Sequence, residues 1–285
     1  MQTISMCFPG GRKKALTLSY DDGVEQDIRL MDIMKKNGLK GTFNINSGDY
    51  SPEGTVFEPG RVHRRMTRSA CISLYKDSGM EVAVHGLNHP WFDQLPANIC
   101  TYQVSQDRAN LESDFEQVVR GCAYPFGTFN DEVVDILDKN GIVYSRGVDS
   151  SHSFDIPKDW LRLRPTCHHA DGALPELLDK FLNEKPMGNS WLFYLWGHSY
   201  EFEQFDNWNI IESFAKRAGG HEDVWYATNI EIYDYVKAFE SLKFSAKADR
   251  VQNLSAYDIW FEFNVYGEPA KKQYCVKAGE TLKID

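Results

Sequence analysis

Two adjacent carboxylates, Asp21 and Asp22, stand in the run Ser19-Tyr20-Asp21-Asp22-Gly23 at the end of an apolar stretch. Asp-Gly is a common turn dipeptide, and a plain solvated turn is one reading of the pair. The other reading is chemical. Neighbouring strand residues point to opposite faces, so both acids reach one site only where a strand ends irregularly, and such ends are where α/β barrels keep their chemistry. A second run, His85-Gly86-Leu87-Asn88-His89, sets two imidazoles four residues apart just past the apolar residues 81–84. Two histidines and a carboxylate are the ligand type of hydrolytic zinc sites, which keep a position open for water. The same set serves non-haem iron oxygenases. A second acid beside the ligand carboxylate separates the two chemistries, because a hydrolase needs a base next to the water it activates. A third imidazole, His198 in Trp196-Gly197-His198, follows another apolar run and suits proton donation to a leaving group. In Tyr124-Pro125-Phe126-Gly127 the proline and glycine fix a turn so that a backbone N–H faces a cavity.

These residues need a frame that gathers strand ends, and the chain repeats short β-rich runs, polar turns and helical stretches. Strands are expected over 15–20, 41–46, 80–84, 122–124, 142–145 and 191–196. Helices are expected over 26–36, to an end at 72–75, and over 101–119, 131–139, 174–182, 210–218 and 229–242. Asn37-Gly38 and Asn140-Gly141 are helix stop signals. Alternation of this kind argues for a parallel sheet, and a count near seven or eight strands favours a closed barrel. From residue 243 onward the character changes: Phe244, 259–265 and 273–276 read as strands without intervening helices. The expected organisation is a barrel over 1–242 and a small β appendage over 243–285.

The 285 residues include 31 Lys and Arg against 41 Asp and Glu, a formal net charge of −10. That excess of acid argues against a nucleic-acid or anionic-membrane binder, since both need positive surface. A hydrophobic fraction of 42% supports a sizeable core. The longest apolar run, 191–196, is strand-sized and far below a membrane span. Cys7, Cys71, Cys100, Cys122, Cys167 and Cys275 form no C-x-x-C pair and read as reduced thiols, mostly buried. The basic residues near the start follow a short mixed segment, the reverse of a secretory signal, so a cytoplasmic location is expected.

The ordered motifs over about 13–240 resemble the polysaccharide deacetylase family, also called NodB-homology or carbohydrate esterase family 4 proteins. Ser-Tyr-Asp-Asp-Gly is similar to the family's T-F-D-D-G, which implies Asp21 as general base and Asp22 as metal ligand. His85 and His89 match H-(S/T)-x-x-H and are the implied remaining ligands, with Gly86 where a small hydroxyl residue usually steadies the loop. Tyr-Pro-Phe-Gly is similar to R-P-P-Y-G, which implies that the Phe126 amide contributes the oxyanion hole. The arginine of that motif falls at Ala123, so the group that holds the base is missing or supplied elsewhere. Leu195-Trp196-Gly197-His198 resembles L-x-H, implying His198 as general acid, and Asp149 is placed as its partner by a weak likeness to D-x-x-D-W. The implied fold is a distorted (β/α) barrel of about seven parallel strands.

The function implied is removal of N- or O-acetyl groups from a saccharide with a divalent metal, most readily Zn²⁺ and alternatively Co²⁺ or Ni²⁺. Trp91, Phe92, Tyr124, Tyr200, Phe202, Phe205 and Trp208 are candidates for stacking on sugar faces, against the plain reading of each as packing. The segment 61–68, with four Arg and His63, reads as a solvated surface, and His152, His168 and His169 as structural or rim residues. Two rivals remain at this level: hydrolysis of a small non-sugar amide on the same scaffold, and a non-catalytic sugar receptor, the latter favoured by the absent arginine.

Overall fold

The computed structural model describes residues 2–265 and 272–284; the remainder of the C-terminal segment expected as an appendage lies outside them. The strands are β1 (Gln2–Cys7), β2 (Lys14–Asp21), β3 (Gly41–Ile45), β4 (Glu81–Val84), β5 (Gly121–Ala123), β6 (Tyr144–Arg146), β7 (Cys167–His168), β8 (Trp191–Gly197), β9 (Val224–Tyr226), β10 (Lys243–Phe244), β11 (Arg250–Gln252), β12 (Ile259–Val265), β13 (Lys272–Val276) and β14 (Thr281–Lys283). The helices are α1 (Asp27–Lys36), α2 (Arg68–Tyr75), α3 (Ala97–Phe115), α4 (Asp131–Lys139), α5 (Leu174–Asn183), α6 (Ser199–Gln204), α7 (Asn209–Ala218) and α8 (Asn229–Glu240).

Seven parallel strands pair in the order β6-β5-β4-β3-β2-β8-β7, and β9 pairs with the first residues of β2 beside them. The fold is a distorted (β/α) barrel. Leu163 forms a parallel bridge with Arg146, so the chain entering β7 spans the gap from β6 toward β8. Every residue of β2 is buried, as expected of a central parallel strand covered on both faces. Helix ends follow the local chemistry: Thr228 and Glu231 form a capping box on α8, Asn130 caps α4, and Gly38 at φ +67° ends the turn after α1.

The barrel floor is polar and fully tied. Glu81 accepts hydrogen bonds from Thr42 Oγ1 at 2.7 Å, Tyr144 Oη at 2.7 Å and the Ile230 N–H at 2.9 Å. Asn229 donates to Tyr194 Oη and accepts from Thr17 Oγ1, so the start of α8 plugs the end of the barrel opposite the strand C-termini. With the floor occupied, chemistry is left to the other end.

The strands expected from 243 onward form, with three unexpected ones, β1, β11 and β14, two antiparallel sheets, β1-β12-β13 and β10-β11-β14. The N-terminal strand β1 pairs along its whole length with β12, a partner too distant in sequence for local patterning to show. Tyr235 of α8 joins this sheet to the barrel: its hydroxyl donates to Cys7 O at 2.8 Å and accepts from the Trp260 N–H at 3.0 Å. Among the described residues no helix is long and apolar enough to cross a membrane.

Burial pushes the Glu81 carboxyl up from its ordinary 4.5 to about 7, against the three donors it accepts from. A buried acid with a raised value favours folding most below the unfolded value and loses that contribution as pH climbs toward the folded one. Unfolding free energy is therefore expected to fall between pH 4.5 and 7, by up to about 1.4 kcal/mol per pH unit for this proton. Urea unfolding of Glu81→Gln should show a shallower slope across this window; an unchanged slope would place the dependence on other groups.

Candidate active site

Two strand ends, those of β2 and β4, deliver Asp22, His85 and His89 to one point. Asp22 leaves β2 with φ +88°, its N–H donating to Asn44 O at 2.9 Å, so the strand breaks there and both acids face the same side. His89 and Phe126 also hold positive φ, at +51° and +59°. Such backbone is costly for residues with a Cβ, and its concentration at three positions around one cleft marks a site held in place by its surroundings. His85 Nε2 lies 4.0 Å and His89 Nε2 3.9 Å from Asp22 Oδ1, within the span of two bonds of about 2.1 Å to a shared ion.

The donor atoms suit a cation. His85 Nδ1 sits 2.8 Å from Ala123 O, so it carries the proton and leaves Nε2 with a free lone pair. Burial drives His85 down to about 4, with Asp21 opposing, so the ring is neutral at pH 7. Asp22 is nearly buried, yet the His63 hydrogen bond and the Arg65 charge outweigh desolvation and hold its carboxyl well below the usual range. His85 Nε2 is buried without a hydrogen-bond partner, and Asp22 Oδ1, also buried, makes no aligned hydrogen bond, with the Arg65 guanidinium ion-paired to it at 3.0 Å. An orphaned buried nitrogen of this kind needs a ligand, and an N₂O set of neutral imidazoles and a carboxylate fits a divalent metal.

Asp21 meets the arginine that its motif lacks. Arg146 Nη2 donates to Asp21 Oδ2 at 2.5 Å, and the guanidinium lies over the Trp196 ring at 4.3 Å. Arg146 is fully buried, and its Cα is the register partner of Ala123 on the neighbouring strand. The charge expected from one strand thus comes from the next, a substitution that no spacing in the sequence signals. Asn44 donates to the other carboxylate oxygen at 2.7 Å. Burial alone would raise the Asp21 value, but Arg146 and then His85 and His198 bring the net shift downward, so the carboxylate is ionised.

His198 follows β8 and points its Nε2 at Asp21 Oδ2 from 3.8 Å. Its Nδ1 pairs with Glu201 Oε1 at 3.1 Å, one turn on in α6. Asp149, expected as this partner, is instead exposed on the loop after β6. The i, i+3 spacing of His198 and Glu201 was the available signal. Burial opposes protonation of His198, but Glu201 and then Asp21 and Asp22 outweigh it and raise its value.

Gly86 has a geometric cause. It holds φ +76°, and a Cβ there would stand 2.9 Å from the Phe92 ring, so no hydroxyl residue fits. The loop is steadied by Asn46, whose amide donates to His85 O at 2.5 Å and Gly86 O at 2.7 Å, and by Asp107, which accepts from the His85 and Ser47 N–H groups. Trp91 and Phe126 are exposed and stacked at 3.6 Å beside His89, and Tyr200 packs near His198 and His63. Tyr124, expected to touch substrate, is instead buried, with its hydroxyl donating to Leu161 O and its ring stacked on Phe129. The segment 61–68 is not a plain solvated surface. His63 Nε2 lies 3.1 Å from Asp22 Oδ2, Arg65 binds the Asp22 carbonyl and Asn46, Arg64 grips Glu25 and Glu203, and Arg68 pairs with Asp114.

A family model described as polysaccharide deacetylase matches residues 9–145. No curated protein matches. Solved structures that match include the Streptococcus pyogenes deacetylase PplD in complex with acetate, 20% identical, covering 51% of this chain and 62% of that one at TM-score 0.44. Peptidoglycan deacetylase PdaC from Bacillus subtilis is 16% identical over 80% of this chain and 94% of that one, at TM-score 0.48. A family 4 carbohydrate esterase pseudoenzyme from Bacillus anthracis is 19% identical over 80% and 67%, at TM-score 0.47. The chain thus spans less than two thirds of the S. pyogenes protein.

Removing Arg146 leaves Asp21 buried and unpaired. Arg146→Ala is expected to destabilise the fold by about 3–5 kcal/mol in urea unfolding. A loss below about 1 kcal/mol would mean that the pair is not carrying this charge. His85→Ala and His89→Ala are each expected to lower Co²⁺ affinity at least tenfold, read from the visible absorption of the bound ion.

Proposed function

We propose that the chain, whose residues 9–145 match a family model described as polysaccharide deacetylase, is a metal-dependent hydrolase that removes acetyl groups from a saccharide. The observation that carries the reading is the buried His85 Nε2, which has no hydrogen-bond partner and converges with His89 Nε2 on Asp22 Oδ1, with Asp21 and His198 alongside. A divalent cation held by Asp22, His85 and His89, with zinc the best match to the donor set, supplies Lewis acidity toward the scissile carbonyl and toward water.

The protein's own groups then divide the proton work. Asp21, kept ionised and aimed by Arg146 and Asn44, takes a proton from the attacking water. As the water oxygen bonds to the acetyl carbon, negative charge grows on the carbonyl oxygen, and the Phe126 N–H at its strained turn is the donor offered to it. His198, cationic through Glu201, gives its proton to the departing nitrogen or oxygen as the bond to the acetyl carbon breaks. Acetate and a free amine or hydroxyl on the sugar result. The exposed Trp91–Phe126 pair offers a flat apolar face beside the reacting centre, which suits a pyranose ring.

The receptor alternative drew its support from the missing arginine, and Arg146 removes that support by bringing the same charge from β6.

Asp21→Asn is expected to lower the rate of acetate release from acetylated sugars by about 10²–10⁴ while leaving one metal equivalent bound. Retained turnover, or release that persists in chelator, would sink the mechanism. Activity should decline on the alkaline side as His198 loses its proton above its ordinary 6.5. Glu201→Gln removes the strongest raising interaction, so the alkaline limb is expected to move to lower pH; an unmoved limb would assign it to another group.

A further inference from the structure

A second set of ligand-type side chains meets on the far side of His198. His168 ends β7 and His169 follows it, and α6 brings Glu201 against both. His168 Nε2 lies 3.2 Å and His169 Nε2 3.0 Å from Glu201 Oε2, while His198 Nδ1 lies 3.1 Å from Oε1. Ligand atoms of His168, His198 and Glu201 fall within 4.8 Å of one another, and all three side chains are partly open to solvent.

One further fact marks the cluster as more than a hydrogen-bonded carboxylate. His169 is 1% exposed, and neither of its ring nitrogens has a hydrogen-bond partner, even with Nε2 so close to Glu201. The ring is held by Tyr20 and Phe202 and lies against Gly197, where a Cβ would stand 2.0 Å from Nδ1. Its Nε2 is thus fixed 3.0 Å from Glu201 Oε2 without making an aligned hydrogen bond, and its Nδ1 has no partner at all. A buried polar atom in that state calls for a partner, and imidazoles with a carboxylate are a zinc donor set.

We propose that His168, His198 and Glu201, with His169 beside them, form a second, inhibitory site for a divalent transition metal. Binding at His198 Nδ1, the nitrogen that faces Glu201, displaces that nitrogen's proton to solvent and leaves a metal-bound ring that keeps its proton on Nε2, the nitrogen that faces Asp21. The Nε2–H of such a ring is a far weaker acid than that of the cationic imidazole, so proton delivery to a leaving group slows and occupation inhibits turnover. The inhibitory half rests on the reading of His198 as general acid; the binding half does not.

The site is weaker than the Asp22–His85–His89 triad for a structural reason. His85 already carries its proton on Nδ1, bonded to Ala123 O, and its Nε2 is free. His168 Nδ1 instead accepts from the Ala170 N–H at 3.1 Å. Coordination through Nε2 moves the ring proton onto Nδ1 and breaks that contact, and Glu201 also gives up its bond to His198.

The test is a Zn²⁺ titration of the full chain by calorimetry, with acetate release measured at each ratio. Two classes are expected, the second at least tenfold weaker, with activity maximal at one equivalent and falling as the second binds. His168→Ala and His168→Gln should each keep the tight class and lose both the weak class and the fall. A single class in the wild-type chain overturns the proposal, as does a second class or an inhibition unchanged in both variants. Two classes with the expected His168 dependence but no acetate release at any ratio would uphold the binding site and reject the deacetylase reading and the inhibitory role with it.

Discussion

The buried ion pair between Asp21 and Arg146 is the constraint around which the rest of the site is arranged. Two neighbouring carboxylates at a strand end repel each other, and burial penalises both. A fully buried guanidinium 2.5 Å from one of them, resting on the Trp196 ring, makes the arrangement tolerable. Asp21 is then satisfied from within the barrel by Arg146 and Asn44, which leaves Asp22, turned by its positive φ, to face the histidines. Two acids of the same type so acquire different roles from their surroundings.

The support of that arrangement is distributed over several elements. Asn46 holds the histidine loop by two carbonyls and is itself held by Arg65, which also binds the Asp22 backbone. Asp107 from α3 ties the His85 and Ser47 amides. The segment 61–68 is strapped down by Arg64 to Glu25 and Glu203, so His63 is delivered onto the outer oxygen of Asp22. A ligating carboxylate fixed through its second oxygen loses little further freedom on binding a cation.

Glu201 connects this centre to the barrel edge. One carboxylate oxygen raises the proton affinity of His198, and the other lies against His168 and His169. Any ligand that competes for Glu201 therefore changes the proton affinity of His198. The short helix α6 carries this residue, and Ser199 at its start donates to buried Asp27, fixing the helix relative to α1.

Much of the architecture and the triad was legible in the chain itself. Period and stop signals placed β2, β3, β4 and β8 and most helices, and Asp21, Asp22, His85, His89 and His198 stood at strand ends because barrel chemistry collects there. What escaped were the two-residue β7, the three-residue β9, β11 and β14, whose runs are too short for a periodicity to show, and β1, whose partner β12 lies at the opposite end of the chain. Local order in the sequence determined which ligands exist and where each strand stops, since these depend on residue type and near spacing. Only the tertiary structure decided that Arg146 replaces the arginine absent at Ala123, that Glu201 and not Asp149 serves His198, that Tyr124 is core, and that His63 reaches Asp22. Each of these turns on register between strands or on a loop folding back across the barrel mouth, and contacts of that kind are set by packing.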